Sequence, residues 1–178
     1  GMMRDADIDY ANEARPDYVG FVFADSKRKI LYDKAKSFRK KLHKDILSVG
    51  VFVNEKIENI QRLVEDKIID IVQLHGNEDE EYIKKLNLDV DIIKAVRVGL
   101  DPINEILKAD NLPVDYLLLE AYEPGTLGGT GKTFDWSMIP KINKPFFLAG
   151  GLNLENIDEA KKQSAYALDL SSGIETNG

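Results

Sequence analysis

The sequence has no cysteine, only two histidines and a single tryptophan among its 178 residues. Without cysteine there is neither a disulfide framework nor a thiolate metal site. No apolar run approaches the roughly 20 residues of a membrane-spanning helix, and no signal peptide is visible, so we expect the cytoplasm. The formal net charge of -7 argues against a nucleic-acid-binding surface. An anionic ligand would have to be held by backbone amides or by a few placed Arg and Lys side chains.

Short apolar segments recur along the chain, and predicted helices alternate with them. Because the segments are apolar throughout, they are typical of a parallel sheet covered on both faces. A chain of this length with 43% hydrophobic residues favours one domain, over residues 1–178. The predicted strands are 18–23, 46–53, 69–74, 91–96, 116–119, 146–149 and 166–170. The predicted helices are 5–14, 33–42, 55–65, 78–86, 102–109 and 154–163, with a short helical turn at 136–139.

Seven strands fit either an open doubly wound sheet or an eight-fold barrel that lacks a piece. A barrel of alternating strands and helices typically takes about 250 residues, which is longer than this chain. The N-terminal Gly-rich fingerprint of a dinucleotide-binding fold is absent, however, and this favours the barrel.

Small residues end two consecutive strands near the C-terminus, as Gly150-Gly151 and Ser171-Ser172-Gly173. Where no side chain stands in the way, backbone N–H groups can approach an anion closely. In barrels of this type, the loops after the seventh and eighth strands commonly bind phosphate. These five residues therefore predict a phosphate-binding site, although two ordinary strand-helix corners would have the same composition.

Several strand ends match the motifs of one enzyme family, in the family's own order and over nearly the whole chain. The sequence resembles phosphoribosylanthranilate isomerase, an enzyme of tryptophan biosynthesis with a (β/α)8 barrel. The segments that carry the resemblance are 20–23 with Ser26 and Arg28, 50–53, 72–76, 128–136, 148–153 and 169–175. We therefore expect an incomplete (β/α)8 TIM barrel with seven strands. The resemblance also implies that the glycine-rich loop at 128–131 covers an active site.

The resemblance implies an Amadori rearrangement of N-(5-phosphoribosyl)anthranilate to 1-(2-carboxyphenylamino)-1-deoxyribulose 5-phosphate. This chemistry needs a general acid near the ring oxygen and a general base near C2′. It also needs a seat for the phosphate and a cation for the anthranilate carboxylate. The implied partner is a small phosphoribosyl substrate, with no metal, organic cofactor, nucleic acid or membrane.

The family pattern assigns a role to each of four side chains. Glu120 occupies the place of the family's general-acid Asp, with a side chain one methylene longer. The alternative interpretation is that Glu120 is a solvated residue at a loop edge with no catalytic role. Arg28 matches the residue that pairs with the anthranilate carboxylate, which an Arg can bind in bidentate fashion. Asp169 would accept a hydrogen bond from a sugar hydroxyl or cap its own loop. His75 would line the aromatic end of the pocket or serve as a turn residue.

Two other functions remain open on the sequence alone. One is a non-catalytic barrel remnant that only binds sugar phosphates. The other is a different phosphate-binding barrel enzyme of the same pathway, such as indole-glycerol-phosphate synthase or the tryptophan synthase alpha chain. Those enzymes need a different set of carboxylates and a Lys, and the ordered motifs fit them poorly.

The family's first strand, which ends in Lys-Ile-Cys-Gly, and its last helix have no counterpart in the sequence. Gly1 is either the Gly of that motif or a scar from a removed tag. The two losses fall at one seam of the barrel, which would leave an open strand edge, and open edges pair with other chains. We therefore expect a homodimer, a swapped segment or a distorted seam. A monomeric mass in solution with an undistorted seven-stranded ring would contradict this.

In the family the general base is the Cys of that first strand, and this sequence has no Cys. General base catalysis contributes roughly a hundred- to ten-thousand-fold. We therefore expect the 178 residues alone to be nearly inactive while still binding a product analogue weakly. Adding an N-terminal strand that ends in Lys-Ile-Cys should restore turnover, and the same strand with Ser for Cys should not. Equal rates with and without the extension would show that another residue, Glu120 or Asp169, is the base.

Overall fold

The computed structural model describes residues 1–121 and 133–175. Strands and helices alternate along these residues, as predicted. The strands are β1 (Tyr18–Val22), β2 (Leu47–Phe52), β3 (Ile71–Leu74), β4 (Ile92–Val98), β5 (Tyr116–Ala121), β6 (Phe146–Leu148) and β7 (Ala167–Leu168). The helices are α1 (Asp5–Ala14), α2 (Tyr32–Lys41), α3 (Ile57–Glu65), α4 (Glu80–Leu86), α5 (Pro102–Asp110) and α6 (Ile157–Ala160), with 3-10 turns at Trp136–Met138 and Ser172–Ile174.

Two compact units make up the chain, Gly1–Ile93 and Lys94–Gly178. In the first unit, β1, β2 and β3 pair in parallel and in chain order. In the second unit, β5, β6 and β7 do the same. The expectation of one domain over residues 1–178 stays a prediction. No helix among the described residues is long and apolar enough to cross a membrane.

Buried apolar side chains from strands and helices form the core of each unit. The strands supply nearly continuous apolar runs, such as Leu117, Leu118 and Leu119, all of which are buried. The helices bury one face each, as Ile60 and Leu63 do on α3. This is the pattern expected of a parallel sheet that is covered on both faces. Pro102 begins α5, where its missing N–H costs nothing.

The predicted elements that shrink most in the structure are the last helix and the last strand. The helix predicted at 154–163 is reduced to Ile157–Ala160. Asn153, the residue before the predicted helix, accepts hydrogen bonds from the N–H groups of Glu155 and Asn156, at 2.8 and 3.2 Å. This local turn delays the start of the helix, because Asn side chains compete with the helical pattern. The strand predicted at 166–170 is reduced to Ala167–Leu168.

Candidate active site

Glu120 lies at the carboxyl end of β5 in the second unit, and it is only 7% exposed. The apolar residues before it on the strand are buried, and they carry its side chain into the interior. Its Oε1 atom lies 3.8 Å from Nε of Arg97, which is on β4. A carboxylate removed from water needs such a partner, because an uncompensated charge is costly to bury. Glu120 is therefore a buried carboxyl group beside a cation, and not the solvated Glu of the alternative interpretation.

The loop after β6 follows a backbone path that only glycine takes without strain. Gly150 and Gly151 both have positive φ angles, 82° and 68°. A Cβ atom on Gly150 would lie 3.0 Å from the backbone nitrogen of Ala121 and 3.5 Å from Cβ of Glu120. The carbonyl of Gly151 accepts hydrogen bonds from the side-chain amides of Asn153 and Asn156, at 3.3 and 2.9 Å. These contacts hold the glycine loop directly against the end of β5, next to Glu120.

The loop after β7 packs against the loop after β6. Gly173 lies so close that a Cβ atom on it would be 2.0 Å from the carbonyl oxygen of Leu152 and 3.0 Å from Cα of Asn153. The two groups of small residues singled out in the sequence are therefore neighbours in space. Within the described residues, no acceptor is found for the backbone N–H groups of Gly150, Gly151, Ser171, Ser172 and Gly173. Such clustered amides are suited to bind an anion.

Asp169 follows β7 directly, and its side chain is exposed. Its backbone N–H donates to the carbonyl of Leu148 at 2.9 Å, which extends the pairing of β6 and β7 by one residue. The pairing places Asp169 at the same strand ends as the two small-residue loops. Its role in binding the sugar stays a prediction.

Arg28 lies in the first unit, between β1 and α2, and is partly buried. Its backbone N–H donates to Oγ of Ser26 at 3.2 Å, which shapes the turn. The start of the chain runs beside it, because the Met2 N–H donates to the carbonyl of Gly20 at 3.0 Å. A Cβ atom on Gly1 would be 3.7 Å from Cδ of Arg28. Gly1 therefore lies beside β1, where the interpretation as the last residue of the family's first-strand motif would place it.

His75 follows β3 in the first unit, and its ring is held from within that strand. Its Nδ1 atom is 3.0 Å from Nε2 of Gln73, and Gln73 is buried. Because the amide nitrogen can only donate, Nδ1 accepts and the ring carries its proton on Nε2. The backbone N–H of His75 donates to the carbonyl of Phe52 at 2.8 Å. The ring is thus fixed in orientation as a hydrogen-bond donor.

Two charged side chains at the strand ends were missed by the reasoning from sequence. The first is Arg97. The signal for it in the sequence was that it is the second charged residue within the otherwise apolar strand Ile92–Val98. The other is Glu78, which the sequence placed in the acidic first turn of a helix at 78–86. The helix begins later, at Glu80, because Asp79 caps it by accepting the N–H of Tyr82 at 2.8 Å. Glu78 precedes the cap and is buried.

Tyr82 lies beside Glu78 and belongs to the same group of contacts in the first unit. Its hydroxyl donates to the backbone carbonyl of Glu55 at 2.6 Å. Burial, reinforced by the nearby carboxylates of Glu78, Glu55 and Glu58, raises the pKa of Tyr82 to about 12.

Over residues 1–121 and 133–175, no group of three His, Asp or Glu side chains is arranged to hold a metal ion.

The model of the N-(5'-phosphoribosyl)anthranilate (PRA) isomerase family matches residues 1–178. The chain belongs to this family. It is 51% identical over 181 residues to the N-(5'-phosphoribosyl)anthranilate isomerase of Endomicrobium trichonymphae, covering 100% of this chain and 88% of that protein. This confirms the resemblance found from the strand-end motifs.

Solved structures of the same family confirm the predicted fold class. The phosphoribosylanthranilate isomerase of Thermus thermophilus matches with a TM-score of 0.84 and 29% identity, over 98% of this chain and 86% of that one. A second phosphoribosylanthranilate isomerase, in complex with reduced 1-(o-carboxyphenylamino)-1-deoxyribulose 5-phosphate, matches with a TM-score of 0.78 and 30% identity, over 98% and 86%. The fold is that of the (β/α)8 barrel enzymes, with seven strands among the described residues. The loop at 128–131 lies outside those residues.

The contact between the two small-residue loops leads to a test of the phosphate site. Gly173→Ala would force Leu152 to move, so we expect a loss of roughly 1–3 kcal/mol of stability, the usual cost of overpacking, and at least tenfold weaker binding of inorganic phosphate. Calorimetric titration and thermal unfolding measure the two effects. Gly20→Ala is the control, since its Cβ atom would meet only Val51, at 4.0 Å. Phosphate soaked into crystals and found elsewhere, with these amides empty, would contradict the assignment.

Proposed function

We propose that Glu120 is the general acid of this chain and that the two small-residue loops bind the phosphate of its substrate. The chain is an isomerase of tryptophan biosynthesis by its family, which converts N-(5-phosphoribosyl)anthranilate to 1-(2-carboxyphenylamino)-1-deoxyribulose 5-phosphate. The observation that carries the assignment of residues is the contact of Gly150 with Glu120. It puts a buried carboxyl group next to a cluster of backbone amides.

The first step of the reaction opens the sugar ring. A proton from Glu120 goes to the ring oxygen, and the bond from that oxygen to C1′ breaks as the nitrogen lone pair forms a protonated imine (iminium) with C1′. Arg97 then faces the carboxylate that remains, and its positive charge stabilises it. The proximity of the phosphate loops lets a bound phosphate hold the sugar in position for this transfer.

The second step removes a proton from C2′ to give an enolamine, which becomes the ketone when C1′ gains a proton and the C2′ hydroxyl loses one. The step needs a base within about 3 Å of C2′, and in the family that base is a Cys. No residue of this sequence is a Cys. We therefore keep the proposal that turnover by these 178 residues is impaired, with binding retained.

The remaining polar groups are assigned to the two ends of the substrate. Arg28 pairs with the anthranilate carboxylate, because its guanidinium can donate two parallel hydrogen bonds. His75 donates from Nε2 at the aromatic end, and Asp169 accepts from a sugar hydroxyl. The small phosphoribosyl compound is the partner that the family supports. A homodimer and a cytoplasmic location remain proposals.

The role of Glu120 is tested by replacing its carboxyl group with an amide, which cannot act as the proton donor. Glu120→Gln keeps the size of the side chain but cannot protonate the ring oxygen, so kcat should fall roughly a hundred- to ten-thousand-fold. Binding of the reduced product analogue should change by less than threefold. Glu120→Asp is the matched control, since the family carries Asp here, and it should keep kcat within about tenfold. Rates are measured in whichever form turns over faster, the 178 residues or the form extended with Lys-Ile-Cys. A Glu120→Gln variant that keeps half of its kcat would overturn the assignment.

A further inference from the structure

Glu78 joins two loops at the carboxyl ends of neighbouring strands in the first unit. Its Oε1 atom accepts from the backbone N–H of Asn54, in the loop after β2, at 2.8 Å. Both of its oxygens accept from the N–H of Gly76, in the loop after β3, at 3.1 and 2.9 Å. The residue is 5% exposed. One buried carboxylate thus supplies the acceptors for two loops that are distant in sequence.

The side chain of Asn54 closes the same connection from the other direction. Its Oδ1 atom accepts from the backbone N–H of Asn77 at 2.8 Å. Asn54 takes a left-handed backbone conformation, with φ of 49°, which Asn tolerates better than most residues. Gly76 lies between the two side chains, and a Cβ atom on it would be 2.5 Å from Oδ1 of Asn54 and 2.7 Å from Oε1 of Glu78. We name this group of Asn54, Gly76, Asn77 and Glu78 the loop clasp.

The loop clasp holds the residue that immediately precedes Gly76, which is His75. The backbone of His75 is bound on its other side to Phe52 of β2, and its ring is bound to Gln73. These contacts hold His75 from the strand side, and β3 itself ends at Leu74. The bonds from Gly76 to Glu78 hold the backbone on the other side of His75, so the residue is held from both sides.

Burying a carboxylate costs free energy, so added stability does not by itself explain why Glu78 joins the two loops. Its burial costs several kcal/mol before its hydrogen bonds compensate, and well-packed apolar side chains often stabilise a protein as well as or better than a buried charge. A carboxylate also fixes geometry, because hydrogen bonds to its oxygens have preferred directions. The backbone N–H groups of Asn54 and Gly76 are thereby held in fixed positions, and so is the residue between Leu74 and Gly76.

We propose that Glu78 is a positioning residue for substrate binding, and that it acts by fixing His75 through the loop clasp. The inference rests on the proposed function, in which His75 donates to the aromatic end of the substrate. Glu78 itself has no contact with the substrate in this proposal. Its effect on binding passes through the backbone of Gly76.

The test compares Glu78→Gln with Glu80→Gln in the 178-residue chain. Both changes remove one negative charge, but Glu80 is exposed and pairs with Lys84 on the surface of α4. In Glu78→Gln the new amide group puts a donor against an N–H, so the amide protons of Asn54 and Gly76 should exchange at least tenfold faster. The ring signals of His75 should shift in the NMR spectrum, and the reduced product analogue should bind about tenfold more weakly. Glu80→Gln should leave all three measurements unchanged.

A second variant distinguishes a loss of positioning from a loss of folding. Asn54→Gly suits the positive φ and removes only the acceptor for Asn77, so it should shift the His75 signals and weaken binding in the same direction, by about threefold. If both variants bind the analogue within twofold of the unchanged chain while His75→Ala binds it weakly, the positioning role of Glu78 is wrong. If His75→Ala also binds within twofold, the substrate-binding role of His75 is wrong, and the inference fails with it.

Discussion

Parallel pairing of the strands brings their carboxyl ends to one edge of the sheet in each unit. Everything assigned a role in this chain lies at such an end. Because successive parallel strands are joined by crossovers, the residues that meet there are far apart in sequence. Glu120 and Gly150 are an example: they are separated by thirty positions, and the backbone of one loop is pressed against the end of the other strand.

Close approach of backbone to backbone is what makes the two small-residue loops a single feature. A side chain on Gly173 would collide with Leu152, and one on Gly150 would crowd Ala121. Removing side chains at these points costs conformational entropy. In return it brings backbone N–H groups close together, as an anion-binding cluster requires. An acidic protein, with a net charge of -7, can hold an anionic phosphate in this way without a basic surface.

Two carboxylates, Glu78 and Glu120, are buried among residues 1–121 and 133–175. Their partners differ, and the difference matches the roles proposed for them. Glu78 accepts from fixed backbone N–H groups. These bonds fix the geometry of the carboxylate, as suits a residue that positions others. Glu120 faces the guanidinium of Arg97 at 3.8 Å. That contact suits the role of general acid proposed for Glu120, because Arg97 stabilises the carboxylate that is left after the proton is transferred.

The sequence by itself determined the class of fold, the family and the strand ends where the polar groups lie. Apolar runs such as Leu117–Leu119 and the alternation of strands with helices depend on local patterns, and motifs in family order need no structure to be recognised. The tertiary structure alone decided which of these residues touch. The pairing of Arg97 with Glu120, the burial of Glu78 and the contact of Gly173 with Leu152 join distant positions. A local pattern carries no information about them, and so Glu78 resembled an ordinary helix-starting Glu until the loop after β2 supplied its partner.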